Sequence, residues 1–239
     1  MKFKATFLLL LFITSVHTLF AHALWIETYY SGEAGQTQEV KLYYGEYSGN
    51  EREEISKWYS DVKDCSLWLI GPDKQKVQLK TSLMPNYALA SFTPATDGVY
   101  TLLVSHDARE LGGTTRYVFM ASATVRVGRV SGNIQTSSNT NELRLFPQTD
   151  LVNKVNVPVK IKAFIGDGIG TGQKISVFSP SGWSREIVTG TDGTAEFTPL
   201  WPGKYVLEIT DYKKTTGQHN GKNYEAIWKG ATYSLEILK

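Results

Sequence analysis

Cysteine and histidine are nearly absent from this 239-residue chain, and both scarcities narrow what it can be. One cysteine, Cys65, cannot make an internal disulfide, so stability must come from a hydrophobic core rather than from staples. It lies in the apolar run CSLWLI, where a buried, inert thiol is expected. Charge of one sign is also missing: 25 basic residues face 23 acidic ones, for a formal charge of +2, and no basic run occurs. That balance gives no electrostatic case for nucleic acid or for an anionic membrane surface. Beyond the first two dozen residues, no apolar stretch approaches the ~20 residues that a membrane-spanning helix needs. Catalytic signatures are lacking too. The chain has no Gly-x-Ser-x-Gly elbow, no phosphate-binding loop, no dinucleotide fingerprint and no His-Glu-x-x-His helix. GDGIGTG at 166–172 has the wrong glycine spacing and no helix after it, so it reads as a loop. The expectation is a protein that is not an enzyme.

What is present begins with a leader. Lys2 and Lys4 precede LLLLFITSVHTLF, the charge-then-apolar order of a secretory signal, so the product is expected to be periplasmic or secreted. Cleavage after Ala21 would make His22 the first residue, whereas cleavage after Ala23 would discard it; the signal thus spans 1–21, with 23 as the alternative end. A domain is expected over 22–130, a linker with a lead-in strand over 131–155, and a second domain over 156–239. Segments such as EVKLYY, YALASF, RYVFMASATVRV, KISVFSP and ATYSLEIL alternate or run apolar between Gly, Pro and Asp, which is strand patterning. The fold class is therefore all-β, two tandem immunoglobulin-like or transthyretin-like β-sandwiches. In EREEISKWYSDVKD, Ile55, Trp58, Tyr59 and Val62 fall at helical spacing, predicting a short amphipathic helix in the first domain. An internal echo joins the halves. FTPATDGVYTLLVSHD at 92–107 aligns with FTPLWPGKYVLEITDY at 197–212, pairing Phe92 with Phe197, Gly98 with Gly203 and Tyr100 with Tyr205.

Outside the leader only His22, His106 and His219 remain. A first-residue histidine can chelate one ion through its amine and Nδ1, and a second imidazole can then close a T-shaped site suited to Cu(II) or Ni(II). His106 and His219 are the candidate second ligands, with Glu27 and Glu46 as weaker carboxylate alternatives. Each histidine also has an ordinary reading as a solvated or capping side chain. Six Trp and thirteen Tyr support a rival function, a carbohydrate- or protein-binding adhesion module without metal. Its stacking candidates are Trp183 and Trp201, which lie in the turns SPSGWSR and PLWPG; packing over an open core end explains them equally. A copper-dependent oxidative enzyme would need the same N-terminal histidine.

The start AHALWIET resembles the Ala-His-x-Phe/Trp-Trp/Leu-x-Glu opening of a family of bacterial periplasmic proteins. That family carries a domain of unknown function and is described as the periplasmic component of nickel or cobalt import systems. ELRLFPQTDLV and GTDGTAEFTPLWPGKYVLEIT are similar to the family's second-domain motifs, which also resemble transthyretin-like and carboxypeptidase-regulatory-like modules. The resemblance implies a protein that binds nickel or cobalt and serves a separate membrane metal transporter, with copper the alternative that the N-terminal histidine adds. It also implies cleavage after Ala21. Ala23 stands where the family commonly has an acidic residue.

Overall fold

The computed structural model describes residues 22–130, 138–148 and 153–239. The leader and the parts of the expected linker at 131–137 and 149–152 lie outside them. In chain order the first strands are β1 (Ala23–Thr28), β2 (Ser31–Gly32), β3 (Gln38–Glu46), β4 (Glu51–Arg52) and β5 (Leu67–Ile70). β6 (Lys76–Leu79), β7 (Ser82–Leu83), β8 (Ala88–Phe92), β9 (Gly98–Asp107) and β10 (Thr115–Val127) complete the first half. The second half holds β11 (Leu143–Pro147), β12 (Val159–Ile165), β13 (Gly168–Ile169) and β14 (Lys174–Phe178). β15 (Ser184–Val188), β16 (Thr194–Phe197), β17 (Gly203–His219) and β18 (Lys222–Ile237) follow.

These strands form three sheets. One runs β1-β3-β8-β7 with β4 added to β3, another runs β11-β12-β13 with β16 on β12, and the third runs β15-β14-β17-β18-β10-β9-β5-β6 with β2 beside β10. The long third sheet crosses from one half of the chain to the other through a parallel pairing of β10 with β18, in register from Thr115↔Ala226 to Ala123↔Ser234. Two apolar cores therefore share one sheet, one on each face. Along β10 the side chains of Phe119, Ala121, Ala123, Val125 and Val127 enter the first core, while Met120 enters the second. Neighbouring residues of a strand point to opposite faces, so a single strand can serve both cores. On β18, Ala231, Tyr233, Leu235 and Ile237 line the second core, and Trp228 packs against the first. All-β sandwich architecture follows directly from this arrangement. Full burial of side chains such as Leu24, Ile26 and Leu42 contributes about 1.5–3 kcal/mol each.

The echo in the sequence corresponds to a repeated corner. The Tyr100 hydroxyl donates to the Thr96 carbonyl at 3.0 Å, and the Tyr205 hydroxyl donates to the Trp201 carbonyl at 3.1 Å. Phe92 and Phe197 pack on those two tyrosines with ring centroids 5.6 Å and 5.9 Å apart. Gly98 and Gly203 open the following strands at φ 149° and 126°, and a Cβ on either would collide with Pro72 or Pro180. Glycine is required there by both backbone conformation and space. A tyrosine tying a corner of this kind is a feature of immunoglobulin-like sandwiches.

The short helix expected over residues 51–64 is not formed. Its place is taken by β4 and two single 3-10 turns, Ile55–Lys57 and Val62–Asp64. The apolar spacing is nonetheless used: Trp58 and Val62 are buried in the first core, with Ile55 and Tyr59 against it. Tertiary anchors pull the backbone out of the helix. Trp58 is extended at φ −60°, ψ 136°, its indole N–H donating to the Glu53 carbonyl at 3.1 Å. Ser60 stands in the left-handed region at φ 52°, and its hydroxyl accepts the Glu110 N–H at 2.9 Å.

Candidate functional site

β1 begins at the edge of its sheet, and its even-numbered residues Leu24 and Ile26 point into the first core. His22, on the same parity, lies over that core's rim, its ring stacked on Tyr44 with centroids 5.3 Å apart and 27° between planes. Tyr44 in turn meets Trp58 and Phe119, so the imidazole is the outer end of a ladder of rings. The Nε2 of His22 lies 3.1 Å from Glu53 Oε1. Glu53 is itself pinned: its N–H donates to the Tyr44 carbonyl at 2.9 Å, and its own carbonyl accepts the Trp58 indole. The result is an imidazole fixed in orientation by a carboxylate on one nitrogen, the arrangement that metal-ligating histidines use to set their tautomer.

The other expected ligands are held elsewhere. His106 Nε2 is 3.0 Å from Asp61 Oδ1, which also accepts the Arg109 N–H at 2.8 Å and the Ser60 hydroxyl at 3.1 Å. Burial opposes ionisation of Asp61, but the Arg109 N–H and His106 outweigh it and bring the carboxyl down to about 2. His106 thereby latches the 3-10 segment to the end of β9. His219 sits near the tip of the β17–β18 hairpin and donates Nε2–H to the Ala108 carbonyl at 2.8 Å, with Asp107 Oδ1 at 3.8 Å. Beside it Asn220 donates to the Arg109 carbonyl at 3.0 Å and Lys222 pairs with Glu110 at 2.5 Å. This tip clamps the second half onto the first.

Glu27 lies on the opposite face of β1 from His22. Its Oε1 accepts the Trp25 indole at 3.1 Å and Arg52 Nη2 at 2.9 Å, and Lys204 Nζ is 3.9 Å from Oε2. Glu46 accepts the Ser48 hydroxyl at 2.9 Å. The β1–β3 ladder ends at Ala23 opposite Gly45, one residue short of His22 and of Glu46. The five residues are not gathered into one centre, and among the described residues no group of three or more His, Cys, Asp or Glu could hold a metal ion. A single shared site of His22, His106 and His219 has no counterpart in this geometry.

Trp183 and Trp201 do meet, with ring centroids 6.0 Å apart and planes tilted by 53°. Trp183 packs against the second core, and Trp201 is 36% exposed, so the pair covers the end of that sandwich and offers no flat shared face. Cys65 is buried, and burial pushes its thiol up to about 12.

Three partners escaped sequence reasoning. Glu53 reads as one acid of the mixed run EREE, and only the tight β3–β4 return brings it to His22. Arg52, from the same run, places its guanidinium over the Tyr43 ring at 4.9 Å and pairs with Glu27. Glu208 stands alone among apolar residues in YVLEIT, and that break in the pattern is the signal that could have found it.

No family model matches the chain. No curated protein matches it either. Among solved structures, it is similar to a two-domain fibronectin type III segment from chicken tenascin, at 11% identity and a TM-score of 0.23, covering 88% of this chain and 97% of that one. The sandwich architecture rests on the chain's own strand pairing. Among the described residues, no helix is long and apolar enough to cross a membrane.

Proposed function

We propose that the protein is an exported, non-catalytic binding protein for a divalent transition metal (nickel, cobalt or copper), captured at His22 once processing after Ala21 makes that residue the N-terminus. The observation that supports this reading is the His22–Glu53 contact. With Nε2 bonded to the carboxylate, Nδ1 remains, and that is the ring nitrogen able to form a chelate with the residue's own amine. Stacking on Tyr44 limits ring rotation, which lowers the entropy lost on binding. Glu46, one residue beyond the Gly45 that pairs with Ala23, is a candidate to complete the shell. A shell of so few protein ligands leaves positions open for an incoming group, which suits transfer to a membrane transporter better than a closed four-ligand cage would. The resemblance of AHALWIET to metal-import proteins points the same way.

The test is a titration of Cu(II) and Ni(II) into protein beginning at His22, followed by calorimetry and, for copper, by electron paramagnetic resonance. One equivalent should bind, with nitrogen hyperfine structure. An added N-terminal residue or His22→Ala should abolish binding, and Glu53→Gln should weaken it about 10- to 100-fold. Binding that survives both N-terminal changes rules the reading out.

A further inference from the structure

A second feature lies on the other side of β1, in the corner where the first sheet's outer face meets the second half of the long sheet. There Trp25, Tyr43 and Val206 pack together with Tyr47, Tyr87 and Phe178, so side chains from both halves form one cluster. The Tyr47 hydroxyl donates to the Lys204 carbonyl at 2.5 Å, tying the two walls. Sharing Tyr47 with this cluster is a cleft of about 240 Å³, lined by Glu27, Ser48, Asn50, Arg52, Ser179 and Lys204 among others. That volume falls below the ~300 Å³ at which drug-sized pockets begin. The occupant must be small.

Charge defines it further. Glu27 is spent on Trp25 and Arg52, and Arg52 also donates to Asn50. Lys204 is different. Its ammonium makes no hydrogen bond among the described residues, its nearest acid being Glu27 Oε2 at 3.9 Å, and it lies 5.3 Å from the ring centre of Tyr29. Two cations against one carboxylate leave the cleft with a surplus of one positive charge. Ser48, Asn50 and Ser179 add polar groups to the lining, the Ser48 hydroxyl donating to Glu46 at 2.9 Å and the Ser179 hydroxyl lying 2.9 Å from that of Ser181.

We infer that this cleft between the two halves binds a small organic monoanion, a carboxylate on a polar body no larger than about one sugar ring, with Lys204 as the principal charge contact. A carboxylate satisfies ammonium and guanidinium donors through short, charge-assisted bonds. Glu27 disfavours a dianion such as phosphate, because the second negative charge would face it without a partner. The polar wall of Ser48, Asn50 and Ser179 matches a polar body.

The experiment is calorimetric titration of the processed protein at about pH 7 with glucuronate, glucose, N-acetylglycine and inorganic phosphate. Glucuronate or N-acetylglycine, each a monoanion, should bind saturably, at least about tenfold more tightly than glucose and phosphate. Binding of glucuronate alone identifies an acidic sugar, of N-acetylglycine alone a peptide carboxylate, and of both a site for the carboxylate group; each supports the proposal. Lys204→Met should weaken the bound carboxylate at least about tenfold. Asn50→Asp, which keeps the left-handed turn but adds a charge to the wall, should weaken it as well. Thermal unfolding of both variants checks that the fold is intact. Absence of saturable binding by either carboxylate, equal binding of glucose, or an unchanged affinity in folded Lys204→Met overturns the proposal.

Discussion

Replacing Glu208 by Gln should stabilise the protein at alkaline pH and leave it nearly unchanged in acid. Glu208 lies on β17 between Ser176 of β14 and Thr232 of β18, on the sheet face that bears Val206 and is turned toward the first half. Its Oε1 is buried and has no hydrogen-bond partner among the described residues. Burial, reinforced by the charge of Glu46, pushes its carboxyl from the ordinary 4.5 up to about 7. Between those values the folded protein holds a proton that the unfolded chain has released, so stability is greatest on the acid side and falls as pH rises through the window. The displacement corresponds to at most about 3 kcal/mol, of which roughly 2–3 kcal/mol should be lost between pH 5 and pH 8. Urea unfolding at both pH values measures it directly. The amide cannot ionise, so the gap between Glu208→Gln and the parent should widen with pH to about 2–3 kcal/mol. Parallel stability profiles for the two proteins from pH 5 to pH 8 would refute the reasoning.

Tyr100→Phe and Tyr205→Phe should each cost about 1 kcal/mol by removing one corner hydrogen bond. Because each corner belongs to a different core, their costs should add to within ~0.5 kcal/mol in the double variant, read by urea unfolding. Asp61→Asn should flatten the acid limb of the stability curve. The lowered carboxyl of Asp61 contributes stability above the ordinary 3.8 that is lost as pH falls toward about 2, and thermal melts between pH 2 and pH 5 will show the difference. Cys65 should resist alkylation by iodoacetamide at pH 8 in the folded protein and react fully in denaturant, as mass spectrometry can follow.

Local pattern carried the strands well. CSLWLI, RYVFMASATVRV and ATYSLEIL alternate or run apolar because each buries one or both faces, and their positions match β5, β10 and β18. The echo around Tyr100 and Tyr205 was legible because its hydrogen bonds join residues four apart, so all of its chemistry lies in one short stretch. Long-range pairing was not. Nothing local to RYVFMASATVRV says that it lies parallel to a strand more than a hundred residues later, and that pairing makes the two sandwiches share a sheet. The helix expected around Trp58 failed for a related reason, since contacts from Ser60 and Tyr59 to Glu110 override a modest local preference. For the site, scarcity of histidine singled out His22, His106 and His219, but composition is blind to distance. Two of them serve as latches to Asp61 and the Ala108 carbonyl, and the partner of the third, Glu53, was hidden in a run of acids that looks like an ordinary solvated surface.

The most direct measurement is the N-terminal sequence and intact mass of the exported protein, taken with its metal content before any chelator is added. Metal capture at His22 predicts a chain that begins at His22 and carries, or takes up, one equivalent of a divalent transition metal through its amine and imidazole. A chain that begins at Leu24, or one that begins at His22 and binds no such metal, contradicts it.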